Sequence, residues 1–207
     1  MTIISEIKNL YSKKTQADII EYLDSDLTLT PANTGDDGCN RYAFSDLPFF
    51  KEEHYRLVDL ASKVFEEPVA PTYTCLSCYF TDVGTLKMHL DRDRCRYTIA
   101  YMIRCSGISS WPIYVSKNEL SEEERTFYAT NKSDAFPQAK RRVREILDST
   151  EWAKLDHSPN SATFFSGTHR WHYRERIPAG SADVIMFHYD PLHPEAPRPE
   201  TGKPPLV

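Results

Sequence analysis

The sequence predicts a mainly β fold, an antiparallel sandwich or barrel with flanking helices and one helical insertion. Three observations lead there. Between residues 73 and 115, short runs rich in β-branched and aromatic residues follow one another with no helical segment between them, a layout that favours antiparallel strands over alternating β-α-β units. Similar runs return at 162–165, 171–174 and 181–189. Between the two groups, residues 117–157 change to charged, helically spaced sequence, which reads as an excursion from the β-core.

Each element follows from local pattern. Residues 1–25 place Ile3, Ile4, Ile7 and Leu10, then Ile19, Ile20 and Leu23, at helical spacing, predicting one or two short helices. Residues 31–47, with Pro31, Asn33, Gly35, Asp36, Asp37 and Gly38, carry turn and loop chemistry. From Pro48 to Glu67 the apolar positions fit one amphipathic helix, ended by Pro68 and Pro71. Residues 73–80 and 85–90, separated by Asp82-Val83-Gly84, predict a hairpin. Residues 96–103 and 111–115 predict two more strands. In the insertion, Glu119 and Glu122 to Glu124 open a charged helix. A second helix is expected from Gln138 to about Lys154, burying Val143, Ile146, Leu147 and Trp152. The insertion is expected either to pack on the outside or to cover the site as a lid. Six prolines among the eighteen residues from Asp190 onward preclude a regular element. The expected organisation is one domain over 1–190 and a Pro-rich tail over 191–207.

Composition excludes several function classes. The net charge of −5 gives no general electrostatic reason to bind nucleic acid, and the basic run at residues 140–144 reads as a solvated helix face. Charged residues interrupt residues 1–20, so neither a signal peptide nor a membrane span is expected. Five cysteines, an odd number, argue against a disulfide framework and for a cytoplasmic location. Cys75 and Cys78 are not expected to hold zinc, because three-residue spacing along a strand points the thiols to opposite faces.

The chemistry concentrates elsewhere. His89 and Asp91 form an H-x-D pair at the end of a strand-like stretch, and His172 lies in a second strand-like stretch. Two imidazoles and one carboxylate from separate strands can hold Fe(II) on one face and leave the opposite positions open. Residues i and i+2 of a strand share a face, so an interior that presents His172 also presents Arg174. His169 has the opposite parity, and His188 on its apolar strand reads as a satisfied core or supporting histidine. His54, His157 and His193 read as solvated. Trp111 and Trp171 are expected in the core. Arg92 and Arg94 are expected to pair with Asp93 or to line the entrance.

With these residues in place, the chain resembles the Fe(II)/2-oxoglutarate-dependent dioxygenases, specifically their prolyl-4-hydroxylase-like branch. The resemblance rests on Tyr79, Gly84 and the His89-x-Asp91 pair, spaced as Tyr, four residues, Gly, four residues, H-x-D, and resumes at residues 167–175 and 187–189. It covers about 45–115 and 158–190 and leaves the insertion unmatched. It implies a double-stranded β-helix (jelly-roll, cupin-like) core, with Fe(II) on His89, Asp91 and His172. It further implies 2-oxoglutarate and dioxygen as co-substrates, ascorbate as reductant, and Tyr79 as a hydrogen-bond partner of 2-oxoglutarate. Where the family places a basic residue after the distal histidine, Gly180 to Asp183 offers none. The cation for the co-substrate's far carboxylate is then expected from Arg174, next from Arg96, and third from Arg176. Asp91 stands where related halogenases have a small residue, which favours hydroxylation, desaturation or cyclisation over halogenation.

The expected activity is hydroxylation of an unactivated C–H bond in a small polar metabolite such as an amino acid, by a monomer or homodimer without nucleic-acid or membrane partners. The rivals are a hydroxylase of a peptidyl residue, a metal-binding cupin-like protein that does not use 2-oxoglutarate, and a β-sandwich interaction module with structural histidines.

Overall fold

A computed structural model describes residues 3–25, 33–34, 38–130 and 136–192. In chain order the elements are β1 (Ile4–Lys8), α1 (Lys13–Ser25), β2 (Asn33–Thr34), β3 (Arg41–Ser45), α2 (Pro48–Arg56), α3 (Val58–Val64), β4 (Val69–Tyr79), β5 (Leu86–His89), β6 (Tyr97–Ser106) and β7 (Ile113–Ser116). They continue with α4 (Glu122–Thr130), α5 (Phe136–Ser149), β8 (Trp152–Leu155), β9 (Ser161–Ser166), β10 (His172–Arg174) and β11 (Ser181–Pro191).

Two antiparallel sheets carry the fold. The larger has strand order β1-β9-β6-β11-β4-β3-β2, and the smaller has β5-β10-β7-β8. From β4 onward the chain passes between them: β4 large, β5 small, β6 large, β7 and β8 small, β9 large, β10 small, β11 large. That winding is a double-stranded β-helix, with α4 and α5 inserted between β7 and β8.

Strand parity then sorts side chains into two cores. On β6, Ile99, Tyr101 and Ile103 pack outward with Phe50, Val58, Ala61 and Phe65 of the α2–α3 region, while Ala100 and Met102 face the space between the sheets. On β11, Ile185, Phe187 and Tyr189 belong to the outer core, and Ala182 and Val184 to the inner one. Because β6 and β11 are buried on both faces, they read as nearly continuous apolar runs rather than as alternating strands.

Several expectations are corrected. Residues 4–8 form an edge strand on β9 and not a helix. Ile3 and Ile7 pack on the outer core and Ile4 on the inner one, the period of two that a strand imposes. Only α1 is helical in this region. Residues 41–45 are a strand pairing β4 and not a loop, while residues 35–37 lie outside the described set. The helix expected over 48–67 is two helices meeting at Leu57. The expected hairpin is a crossover: β4 and β5 lie in different sheets, and β5 pairs β10 instead. Gly84 permits that crossover, since a Cβ there would meet the Tyr79 Cβ at 2.8 Å. The strand into Tyr79 begins earlier than expected, at Val69. Its Pro71, which has no N–H, sits at a register shift opposite His188 and Tyr189, where one ladder bond is dispensable.

The insertion is part helix and part sheet. α4 opens on a reciprocal cap in which the Glu124 N–H donates to Ser121 Oγ (3.2 Å) and the Ser121 N–H to Glu124 Oε2 (2.9 Å), the S-x-x-E capping box. α5 stops at Ser149, and Trp152–Leu155 pair with β7, where the expected helix ran to 154. Ile146 is buried as expected, but Val143 is exposed. β11 continues to Pro191, and residues 193–207 of the Pro-rich tail, His193 among them, lie outside the described residues. Among the described residues no helix is long and apolar enough to cross a membrane.

Candidate metal centre

β5 and β10 run antiparallel with His89 opposite His172, and their ring centroids stand 4.2 Å apart. Asp91 lies just beyond β5, and its backbone N–H donates to the Gly167 carbonyl at 2.9 Å. The i, i+2 relation of His89 and Asp91 is therefore completed by a loop and not by the strand itself. Nε2 of His89 and Nε2 of His172 each lie 3.5 Å from Asp91 Oδ1. These residues form the one group of three potential metal ligands found among the described residues.

The ring orientations are determined by hydrogen bonds. His89 Nδ1 donates to the Lys87 carbonyl (2.8 Å) and His172 Nδ1 to the Arg170 carbonyl (2.9 Å). A carbonyl only accepts, so each Nδ1 carries a proton, and in the neutral tautomer the lone pair sits on the Nε2 that faces Asp91. The three ligand atoms lie within 4.8 Å of one another, and electron-rich atoms this close are held together by a shared cation, a proton or a metal ion. Donors on one octahedral face at bonds near 2.1 Å are about 3.0 Å apart, so each Nε2–Oδ1 separation of 3.5 Å needs a contraction of only about 0.5 Å to suit a divalent metal.

The carboxylate is also held from behind. Thr98 Oγ1 donates to Asp91 Oδ2 at 2.7 Å and contacts His188 Nδ1 at 3.1 Å. Burial opposes ionisation of Asp91, yet the contacts with His172 and His89 hold its carboxyl well below the usual carboxylate range. Burial pushes His188 down to about 4, so its ring is neutral. Gly167 matters through close approach: a Cβ there would lie 2.1 Å from Asp91 Oδ2 and 2.6 Å from Thr98 Oγ1.

A cavity opens from the three ligands between the sheets, lined also by Tyr79, Arg174, Arg41, Leu86, Ile113 and Phe165. Arg174 is 2% exposed; its Nη1 donates to the Trp111 carbonyl and its Nη2 to His157 Nδ1 at 2.5 Å. Tyr79 is buried and its hydroxyl oxygen accepts from Arg41 Nη1 at 3.2 Å, which leaves the phenolic proton available to donate. Burial raises the Tyr79 pKa, with Arg41 and Arg174 opposing, so the phenol stays protonated.

The other candidates lie elsewhere. Arg96 is not among the cavity-lining residues and lies 3.9 Å from Glu119; Arg176 Nε donates to the Asp82 carbonyl. His169 turns away and meets Glu122 Oε1 on α4 at 2.7 Å. His188 supports the site through Thr98, as its strand position suggested. His54 and His157, expected to be solvated, are 3% and 0% exposed; each occupies a buried seat against a backbone carbonyl. Trp111 is core, and Trp171 meets Tyr128 edge-on. Arg92 lies over the Tyr73 ring, and Asp93 pairs with Arg125 of α4 at 2.8 Å. Cys75 lines the cavity while Cys78 packs against the outer core. Sequence reasoning missed Arg41, Thr98, Gly167 and His157. Even parity with Ala100 and Met102 marks Thr98 as inward-facing, but nothing local to the other three does.

No protein-family model matches the chain, and no curated protein matches it. Solved structures share its fold. HygX from Streptomyces hygroscopicus, with nickel and 2-oxoglutarate bound, is 15% identical with a TM-score of 0.62, covering 92% of this chain and 83% of HygX. The non-heme alpha ketoglutarate dependent carbocyclase SnoK from nogalamycin biosynthesis is 8% identical with a TM-score of 0.64, covering 90% of this chain and 79% of its own. A Pseudomonas putida prolyl-4-hydroxylase is 10% identical with a TM-score of 0.56, covering 91% and 92%. HygX has also been solved with hygromycin B bound.

Proposed function

We propose that the chain is a non-haem Fe(II)/2-oxoglutarate-dependent oxygenase that hydroxylates an unactivated C–H bond of a small polar metabolite such as an amino acid. The observation that carries this reading is the convergence of two Nε2 atoms on one carboxylate oxygen of Asp91, with both Nδ1 atoms anchored to carbonyls. The shared fold with a nickel- and 2-oxoglutarate-bound protein supports the co-substrate, and the hygromycin-bound form of that protein supports a small-molecule substrate.

His89, Asp91 and His172 would hold iron. Once bound, iron with 2-oxoglutarate supplies oxidative decarboxylation to succinate and CO2, coupled to oxygen insertion into substrate. The chain's own part is placement. Thr98 keeps the Asp91 carboxylate turned toward the imidazoles, and the buried Arg174 and Tyr79 would receive the far carboxylate of 2-oxoglutarate, one as a cation and one as an O–H donor. Leu86, Ile113 and Phe165 would keep water from its methylenes. Likeness to a carbocyclase favours a second outcome at the same centre, ring closure in place of hydroxylation; likeness to a prolyl hydroxylase favours a peptidyl substrate.

Anaerobic titration of the Fe(II)-loaded protein with 2-oxoglutarate is the test. A weak visible charge-transfer band should appear, and His89→Ala, Asp91→Ala and His172→Ala should each lose it by losing metal. Arg174→Ala should keep the metal and weaken 2-oxoglutarate by roughly 30-fold or more, the scale for truncating one partner of a buried charge pair. Stoichiometric iron with no band would instead mark a cupin-like metal protein that does not use 2-oxoglutarate.

A further inference from the structure

Arg174 is an unusual buried cation. Its guanidinium is held by the Trp111 carbonyl, by His157 Nδ1 and by the Trp111 ring, 4.9 Å from the ring centroid. All three partners are neutral, and among the described residues no carboxylate forms an ion pair with it. A buried guanidinium normally lies against Asp or Glu, which satisfies its donors and cancels its charge together. Here two of the five N–H donors are taken by neutral acceptors, and the charge is kept.

We propose that His157 is a positioning residue for co-substrate binding: as a neutral acceptor it aims Arg174 into the cavity without neutralising it. The inference rests on Arg174 being the cation for the far carboxylate of 2-oxoglutarate. His157 lies between β8 and β9, where the chain re-enters the core after the insertion, and it is 0% exposed. Its Nε2–H donates to the Ser161 carbonyl at 3.1 Å, which leaves the Nδ1 lone pair for Arg174. Its own backbone carbonyl accepts the Trp111 N–H at 2.9 Å. Trp111 and His157 are thus tied to each other and each accepts one arm of the guanidinium, a closed ring that admits one orientation. Burial and the facing Arg174 keep the His157 ring well below its usual pKa, so it does not compete with Arg174 for an anion. A carboxylate at the same place would give the same hydrogen bond and an internal salt bridge, leaving the dianionic co-substrate nothing to pair with. The insertion therefore matters to the site through its last residues, whatever α4 and α5 do.

The experiment is the anaerobic 2-oxoglutarate titration of Fe(II)-loaded protein, with metal affinity measured separately, on His157→Asn, His157→Asp, His157→Phe and Arg174→Ala. Asn places a neutral oxygen near the position of Nδ1, and Asp places a charged one there in the same volume. Asn should bind 2-oxoglutarate within about threefold of wild type. Asp and Phe should each weaken it by about tenfold or more, with metal affinity unchanged in all three. Equal affinities in Asn and Asp, or wild-type affinity in Phe, would overturn the inference; should Phe fail to fold, the Asn/Asp pair still decides. If Arg174→Ala itself leaves 2-oxoglutarate affinity unchanged, the assignment of Arg174 fails first. If Arg174→Ala weakens binding and the His157 variants behave alike, only the role of His157 is lost.

Discussion

Gly167→Ala is a one-carbon change that reaches the metal centre through packing alone. The new Cβ would stand 2.1 Å from Asp91 Oδ2, 2.6 Å from Thr98 Oγ1 and 2.9 Å from Asp91 Cγ. Real Cβ contacts essentially never fall below 3.0 Å, so the carboxylate oxygen must retreat by at least 3.0 − 2.1 = 0.9 Å. It cannot retreat past Thr98, which is bonded to it at 2.7 Å and is itself crowded by the same methyl. The carboxylate must therefore rotate, and rotation swings Oδ1 away from the two Nε2 atoms. Overpacking of this kind costs about 1–3 kcal/mol, which lowers the melting temperature of the metal-free protein by roughly 2–12 °C for a chain of this size. Metal affinity should fall by about 10–100-fold, as for loss of an outer contact that orients a ligand. Calorimetric titration with Ni(II), together with thermal melts and far-UV circular dichroism of the metal-free variant, reads both effects. A variant that binds Ni(II) like wild type and melts at the same temperature would show that Gly167 does not confine Asp91.

Two further outcomes are expected. Thr98→Val keeps the shape of the side chain and removes the donor to Asp91 Oδ2; it should cost about 1–3 kcal/mol of stability and on the order of tenfold in Ni(II) affinity, read by chemical denaturation and titration. The third concerns pH. Burial lowers His54 to about 3 in the folded protein, so the unfolded chain takes up a proton first, near 6.5. Stability from the neutral ring is present above pH 6.5 and is lost as pH falls toward 3, about 1 kcal/mol between pH 7 and 5.5. His54→Gln retains a donor for the His188 carbonyl, bonded at 2.8 Å in the wild type, and removes the titration. Its loss of stability from pH 7 to 5.5 should be smaller by that amount, and an identical pH dependence in both proteins would count against a neutral, buried His54.

Local pattern carried far in the β-core. A period of two is a property of a few consecutive residues, and it places Thr98, Ala100 and Met102 on one face of a strand and Ile99, Tyr101 and Ile103 on the other. The same rule puts His172 and Arg174 on one side, and the H-x-D pair marks His89 and Asp91 as candidate ligands; Tyr79 and Gly84 gain meaning only through the family resemblance. Local pattern failed where a segment's state depends on a distant partner. Ile4–Lys8 became a strand because β9 offers an open edge, and Trp152–Leu155 because β7 does; their own residues fit a helix as well. The burial of histidines off the regular strands escapes local pattern for the same reason. Burial of His54 and His157 is set by what packs over them, the outer core in one case and the Arg174 guanidinium in the other. Which sheet each strand joins is set by long-range pairing, and with it that Gly167 lies against Asp91 and that Arg41 meets Tyr79. The Arg41–Tyr79 contact is made by the pairing of β3 with β4 and the Gly167–Asp91 contact by the winding between the two sheets, and side-chain parity contains no record of either.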